Sequence, residues 1–549
     1  MGRDMQPHGQ PIFIMPEGTD RTRGKSAQGN NIAAAKAVAD AVKSTLGPKG
    51  MDKMLVNGLG DVLITNDGAT ILREINVEHP AAKMVIEVSK TQEAQCYDGT
   101  TTSVVFAGAL LKESEALIEK NVHPTVIASG YRLASSKALL TLEQCVVSPS
   151  KLKKHIGEGY RQIAMACAET ALTGKFTDTH ESVKNVIASI AGDAVEALSD
   201  GVSPPNLDDI NVVCATGGSV EDSYMLDGIV LEKEKAHNGM PTAVDGAIVA
   251  LIDFPVEVKK TEVDARISIT SPDQMQDFLD QEEKALKDMV SKFVDAKVNV
   301  LLCQKKIDDL ALHYMAKAGI MALQSCRKSQ LSSVSKATGA KVISDLDDLT
   351  NEDLGSAGYA MEERLGENIV TSIGGVSADG KAVTVVLRGG TSHIVEEIER
   401  AFDDALGVVS LVINEAQVLV GGGATFARMA KELREFASTV AGRKQMAVEA
   451  YASALEEIPA TIAENAGMDP VDTIIALRKA HGHNQHCHGV YVTDEDVDIL
   501  IDNMLDHGVI EPLSVVRQAV SSATETATMI LRIDDVIQMR QAGPPGPMM

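Results

Sequence analysis

Between residues 32 and 46 an Ala-rich run carries Val38, Val42 and Leu46 four apart, which predicts one helix stopped by Gly47-Pro48. DVLIT (61–65) reads as a short strand and Asn66-Asp67-Gly68 as a tight turn. A helical pattern runs from about Pro80 to Glu93, and DGTTT (98–102) opens a further apolar run, SVVFAGALL. The first 150 residues are therefore expected to be mostly helical, with polar, Gly-containing junctions.

The pattern changes between about 210 and 390. Short β-like runs (INVVCA, GAIVALIDF, NVLLCQ, AKVIS and AVTVVLRGG) are separated by helical stretches, the signature of an α/β region. Within it Ser271-Pro272-Asp273-Gln274 forms a capping box with Pro at the first helical position. Met275, Phe278, Leu279, Leu286, Met289, Val290 and Phe293 follow on one face of that helix, whose charged flank EVKKTEVDAR suits a projecting element. After about 405 the chain is helical again, and the tail QAGPPGPMM is too rich in Pro and Gly to fold on its own. No repeat of fixed period is visible. The order helical, α/β, helical suggests one domain interrupted by another.

Composition bounds what such a chain does. Its 549 residues carry 51 Lys and Arg against 77 Asp and Glu, a formal charge of −26, which disfavours a nucleic-acid binder. The length predicts about three domains. Apolar residues make up 44%, aromatics 3% and Trp is absent, so the core is expected to rest on Ala, Val, Ile, Leu and the 22 Met. No uninterrupted apolar run reaches the roughly 18 residues of a membrane span. The first residues lack an apolar signal-peptide core, and Gln6 stands where a myristoylation signal needs Ser or Thr. Seven scattered cysteines without a CxxC are expected to be reduced, mostly buried thiols of a cytoplasmic protein.

Several junctions carry residue types that suit phosphate. DGTTT sets three Thr at a helix N-terminus, an anion-binding arrangement, behind Asp98, a hard carboxylate suited to Mg²⁺. In QVLVGGGATFARMA a strand runs through Gly421-Gly422-Gly423 into a helix, which lets a ligand approach the backbone. LGPKG (46–50) and NDG (66–68) add two Gly turns with a Lys and an Asp, and Asp404 stands mid-helix beside Asp403. Each has a plainer reading taken alone: a Gly linker, an ordinary N-cap, a solvated helix face. Their co-occurrence favours a nucleotide. There is no Walker A loop: Gly18 to Gly24-Lys25-Ser26 spaces its glycines by five residues instead of four, and no strand precedes it. The His481, His483, His486, Cys487, His488 cluster has metal-ligand residue types, but a polar surface loop is the simpler account. Asp498, Asp502 and Asp506, spaced by four, read as a solvated helix face.

LGPKGMDKML (46–55), ITNDGATIL (64–72), EHPAAKM (78–84), DGTTT, GGGA (421–424), IAENAGMD (462–469), GVIEPLSV (508–515) and ILRIDDVI (530–537) together resemble the group II chaperonins, the archaeal thermosome and its eukaryotic cytosolic relatives. The likeness runs from about 25 to 540 in family order. It implies a chaperonin fold: a mainly helical equatorial ATP-binding domain (1–157 and 415–549), a hinge-like intermediate domain (158–230 and 380–414), and an inserted α/β apical domain (231–379). A helical protrusion at about 257–295 would serve as a lid. The implied activity is ATP hydrolysis driving a double-ring chamber, homo- or hetero-oligomeric, that encloses non-native polypeptides. The implied cofactors are ATP and Mg²⁺, with no nucleic-acid or membrane partner.

By the same resemblance Thr45, Leu46, Gly47 and Pro48 line the adenine and phosphate site, Asp98 holds Mg²⁺, and Gly99, Thr100, Thr101 and Thr102 cradle phosphates. Gly422 packs against the nucleotide and Glu511 lies near the ribose. Asp404 and Asp67 are the carboxylates that act on the attacking water, and Lys175 resembles the lysine through which the hinge senses the γ-phosphate. Positioning and charge neutralisation of this kind are what phosphoryl transfer requires. The chain departs from the family pattern in four places, one being a Gly/Met tail reduced to GPPGPMM. Tyr97 precedes Asp98 where the family has Gly, Thr425-Phe426-Ala427 follows GGGA where a Glu is expected, and Tyr491 replaces a polar residue near the base. These departures suggest a divergent paralogue and leave open a second reading, a weakly hydrolysing structural or regulatory subunit of a mixed ring. A metabolic phosphotransferase would need a small-molecule pocket for which the sequence offers no residues.

Overall fold

The computed structural model describes residues 20–157, 159–175, 181–198, 206–258, 272–366, 368–376, 383–492 and 501–538. It divides into two compact units, one of residues 1–149 and 417–549 and the other of 150–416.

Unit 1 starts with strand β1 (Asp20–Arg23) and helix α1 (Lys25–Lys43). The helix begins seven residues before the predicted start, because Ala27, Asn31 and Ile32 extend its buried face through a polar stretch containing Gly29. It also ends earlier, at Lys43, and Leu46 falls in the following turn. Strands β2 (Lys53–Val56) and β3 (Val62–Thr65) form an antiparallel hairpin, Lys53 opposite Thr65 and Val56 opposite Val62. Asn66-Asp67-Gly68 is a helix start, not a free turn: Asp67 caps α2 (Gly68–Glu74) by accepting from the Ala69 and Thr70 N–H groups. Helices α3 (Pro80–Cys96), α4 (Thr100–Glu119) and α5 (Pro124–Gln144) follow. His79 and His123 cap α3 and α5, each with Pro in the first turn where its missing N–H costs nothing.

Unit 2 opens within α6 (Pro149–His155) and continues with α7 (Tyr160–Leu172) and α8 (Glu181–Leu198). Its strands are β4 (Ile210–Thr216), β5 (Tyr224–Leu231), β6 (Ala243–Ile252), β7 (Val300–Cys303), β8 (Met321–Leu323), β9 (Val342–Ile343), β10 (Gly355–Leu365), β11 (Asn368–Gly374) and β12 (Val383–Gly389). Among the described residues they form one sheet in the order β4-β12-β5-β11-β10-β6-β7-β8, with β9 also against β6. The β6, β7 and β8 end is parallel and the β5, β11, β10, β6 run antiparallel, so the region is mixed α/β. Helices α9 (Pro272–Asp295), α10 (Asp309–Lys317) and α11 (Lys328–Thr338) lie between these strands in sequence. Leu286, Val290 and Phe293 of α9 are buried with Met240, Leu301 and Met315, so the C-terminal half of this helix is built into the core. Ser271 and the flank 259–270 of the expected protrusion lie outside the described residues. Helix α12 (Ser392–Glu415) closes the unit, burying Val395, Ile398, Phe402, Ala405, Val409 and Val412, spaced as one helical face.

The chain then returns to unit 1 with β13 (Val418–Val420), α13 (Ala424–Ala437), α14 (Lys444–Asn465), α15 (Pro470–Gly482), β14 (His488–Val490), β15 (Ile501–Asn503), β16 (Ile510–Pro512), α16 (Leu513–Leu531) and β17 (Asp535–Gln538). Strand β17 pairs antiparallel with β1, joining the two ends of the described chain. The expected Asp502–Asp506 helix face does not exist: Asp502 belongs to β15 and Asp506 to a single 3-10 turn, while Asp498 lies outside the described residues. At the centre of the unit Tyr451 meets Phe106 and Tyr131 edge-on, ring centroids 5.5 and 5.6 Å apart. The Tyr131 hydroxyl donates to the Leu110 carbonyl and that of Tyr451 bonds Thr524, so both phenols are satisfied where they are buried. Small and branched residues dominate the core, and methionine is minor in it: Met240, Met315, Met321, Met429 and Met504 are its buried members among the described residues. All seven cysteines are free and five are buried.

Candidate functional site

In unit 1 the candidate phosphate loop is built at the start of α4. Gly99 stands at its N-cap with φ 75°, a left-handed conformation that glycine adopts without penalty, and no side chain caps the helix. The start of α4 therefore lacks the side-chain cap that would occupy its first N–H groups, as an anion site requires. One oxygen of Asp98 accepts the Gly99 N–H at 2.7 Å, and the Asp98 carbonyl accepts from Gln92 at 2.8 Å. Gln92 is fully buried and also reaches the Val515 carbonyl at 3.1 Å, so it ties the loop to α16.

The NDG segment lies against this loop. The Thr100 hydroxyl is 3.4 Å from an Asp67 oxygen, and a Cβ added at Gly68 would fall 2.4 Å from the Thr101 hydroxyl. Two helix starts thus meet, bringing Asp67, Asp98 and Thr100 to one place. Hard oxygens beside open helix N–H groups are a donor set that fits Mg²⁺ with phosphate.

The turn Thr45-Leu46-Gly47-Pro48 is held from the other side by Asn465, whose amide donates to the Lys43 and Leu46 carbonyls at 3.0 and 2.7 Å. Gly47 has φ 90° with Ile462 in contact beneath it. The glycine run follows β13: Gly422 and Gly423 have φ 62° and 74°, and a Cβ at Gly423 would strike Pro459 at 2.7 Å. Helix α14 therefore supports both the Thr45–Pro48 turn, through Asn465 and Ile462, and the glycine run, through Pro459. Glu511 sits in β16 opposite Leu419. Burial, together with the neighbouring Asp98 charge, pushes its carboxyl up to about 8.

Unit 2 holds the other two predicted residues. Helix α7 ends in the Thr173-Gly174 turn, where Gly174 has φ 84°, and this turn delivers Lys175 to Asp404 on α12. The two form an ion pair with side-chain exposures of 14% and 20%.

Sequence patterns alone missed the supporting residues. Gln92 is a polar residue on the buried face of α3, a signal that a polar group is needed there, and Asn465 is the half-buried last residue of α14. The His cluster lies largely in an exposed turn between α15 and β14, as expected, with His483 exposed and His486, Cys487 and His488 half-buried; His481 is the exception, 1% exposed at the end of α15 with its Nε2 2.9 Å from the His488 carbonyl.

The TCP-1/cpn60 chaperonin family pattern matches residues 38–541. The chain belongs to this family. It is 49% identical to thermosome subunit beta of Archaeoglobus fulgidus over 532 residues, 96% of this chain and 95% of that one. Against thermosome subunit alpha of Methanothermobacter thermautotrophicus it is 48% identical over 531 residues, 97% and 94% of the two chains, and against that of Thermoplasma acidophilum 47% over 535, 97% and 96%. It is therefore a group II chaperonin, an ATP-dependent chaperone in which ATP hydrolysis drives polypeptide folding.

Proposed function

We propose that unit 1 binds ATP with Mg²⁺ and that the chain encloses non-native polypeptides in a cytoplasmic double ring. The observation that carries the nucleotide reading is the uncapped start of α4, opened by left-handed Gly99, with Asp98 and Asp67 beside it. In this reading Asp98 holds Mg²⁺, Gly99 to Thr102 cradle the phosphates, and Thr45 to Pro48 with Gly422 line the base and phosphates. Glu511 lies by the ribose. Bound Mg²⁺ supplies charge neutralisation at the phosphate oxygens. Asp404 orients or deprotonates the attacking water, Asp67 is a second carboxylate close to the γ-phosphate and that water, and Lys175 responds to the γ-phosphate.

The two-segment build of unit 1 supports an equatorial domain of residues 1–157 and 415–549, with 158–230 and 380–414 as hinge and 231–379 as the apical client-binding domain. Ring assembly is supported by the β2–β3 hairpin, which exposes Met54, Val56, Leu59 and Ile64, an apolar edge that a lone chain leaves in water. No helix among the described residues is long and apolar enough to cross a membrane.

A weakly hydrolysing subunit of a mixed ring is the second reading, favoured by Tyr97, whose φ of 58° is unfavourable for a bulky residue beside the phosphate loop. Phosphate release by the purified chain, compared with Asp404→Ala, separates the two. Release well above that of the variant supports the ATPase, and equal background rates support the structural subunit.

A further inference from the structure

The histidine-rich turn between α15 and β14 takes no part in the proposed nucleotide chemistry, and we infer that His481, His486 and His488 are a seat for one Zn²⁺-class cation. His481 supplies the buried end of this seat. Its Nε2 faces the His488 carbonyl, an oxygen that can only accept, so Nε2 carries the ring proton and Nδ1 keeps its lone pair. Burial lowers this imidazole to about 4, and the ring is neutral near pH 7. The Nδ1 atoms of His481 and His488 are both buried, with no hydrogen-bond partner among the described residues. A buried lone pair without a donor is costly, and metal-ligating histidines commonly tie their other ring nitrogen to a backbone carbonyl, as His481 does.

The turn folds the chain back over His481. The Asn484 N–H donates to the His481 carbonyl and the Gln485 N–H to the Ala480 carbonyl, both at 3.1 Å, and Asn484 takes φ 63°, which asparagine tolerates. His486 and His488 are two positions apart, as residues on one face of an extended chain are, and the charges of both act on His481. Cys487, between them, acts on Cys145 instead. The His481 and His486 rings have centroids 5.9 Å apart and planes tilted by 50°. Two imidazoles sharing a tetrahedral cation through bonds of about 2.1 Å have centroids about 5 Å apart, so this pair closes with a movement of about 1 Å. Among the described residues no three donors already enclose a cation. Binding therefore draws the turn inward.

Three neutral imidazoles suit Zn²⁺ and disfavour Mg²⁺ and Ca²⁺, which take oxygen ligands. Arg428 and Glu432 of α13 are the charged side chains whose fields reach this corner, and their signs oppose each other. His488 opens β14, and the Val490 N–H at the end of that strand donates to the Gly422 carbonyl at 2.8 Å. A cation held by His481 and His488 pins the end of α15 to this strand, which makes the site a structural brace.

Calorimetric titration of the full-length, metal-free protein with Zn²⁺ tests the assignment, with excess Mg²⁺ present to occupy sites built from oxygen. The parent should bind one Zn²⁺ per chain at this site. His481→Gln, His486→Gln and His488→Gln should each weaken that binding about tenfold or more. The exposed His483→Gln and the intervening Cys487→Ser should leave it unchanged. Urea unfolding is the second readout: Zn²⁺ should raise the midpoint of the parent and not that of His486→Gln, whose metal-free midpoint also reports that the variant folds. A parent that takes up no Zn²⁺ would overturn the assignment, as would parent affinity in His481→Gln and His486→Gln. An equal loss in His483→Gln or Cys487→Ser would also overturn it, because the cation would then sit on the outside of the turn.

Discussion

Tyr97 ends α3 in the left-handed region, with its N–H donating to the Glu93 carbonyl at 3.1 Å. A residue with a Cβ costs roughly 1–2 kcal/mol there relative to glycine. Tyr97→Gly should therefore stabilise unit 1 by about 1 kcal/mol, read as a higher urea midpoint at unchanged slope. An unchanged midpoint would mean that Tyr97 makes compensating contacts. Asp404→Asn keeps the shape of the carboxylate and removes its basicity, so hydrolysis should fall roughly 10²–10⁴-fold while nucleotide binding persists. The Glu511 carboxyl, raised to about 8, binds its proton more tightly in the folded chain than in the unfolded one. Its contribution to stability is complete near pH 4 and is lost as pH rises from there towards 8. Glu511→Gln should flatten that stretch of the stability profile, and an unaltered profile would contradict the burial argument. At this scale the resemblance named the predicted carboxylates and glycines, but the roles of Gln92 and Asn465 were illegible. Their roles depend on contacts across hundreds of residues, such as Gln92 with Val515 and Asn465 with Leu46.

Among the elements, α3 was plain in the sequence from its Pro80 start, while α5, which begins the same way at Pro124 behind a capping His, was covered only by the general expectation of helix. Strands β10 and β11 were not, because β10 (GSAGYAMEERL) alternates buried Ala357 and Ala360 with exposed, charged or glycine positions and lacks a branched apolar run. Strands β4, β6, β7 and β12 carry such runs and were read correctly. Helix α14 passes through Pro459, which local rules would treat as a break; Gly423 leaves the space that this proline occupies. Gln92→Ala should cost about 1–3 kcal/mol, since it strands two buried carbonyls, and should weaken nucleotide binding as the Asp98 loop loosens. Gln92→Glu is the informative partner, retaining size while reversing the donor. The α15–β14 junction carries a separate acid sensitivity. Burial lowers the His481 imidazole to about 4, with the nearby His486, His488 and Arg428 adding to the effect. The unfolded chain takes up this proton from about pH 6.5, so stability should be lost as pH falls from there towards 4. His481→Gln should remove that component from an acid-unfolding titration.

For the whole molecule, the sequence order helical, α/β, helical correctly announced a chain whose first and last segments fold together, as β1 with β17 and α4 with α14 and α16 make plain. Counting domains from length alone would have laid them end to end. The exposed β2–β3 hairpin predicts that the chain is not monomeric: negative-stain images of the protein expressed alone should show double rings, and persistent monomers would point to obligatory mixing with a paralogous subunit. Replacing Met54 and Ile64 with Asp should shift the population towards monomers without unfolding unit 1, since neither side chain is part of its buried core. The central claim is that ATP hydrolysis by this chain drives polypeptide folding, and it is tested most directly by the refolding yield of a chemically denatured client with Mg²⁺-ATP. The parent protein should raise the yield well above spontaneous refolding only when ATP is present, and Asp404→Asn should abolish that gain. A yield independent of ATP, or one equal in parent and variant, would contradict it.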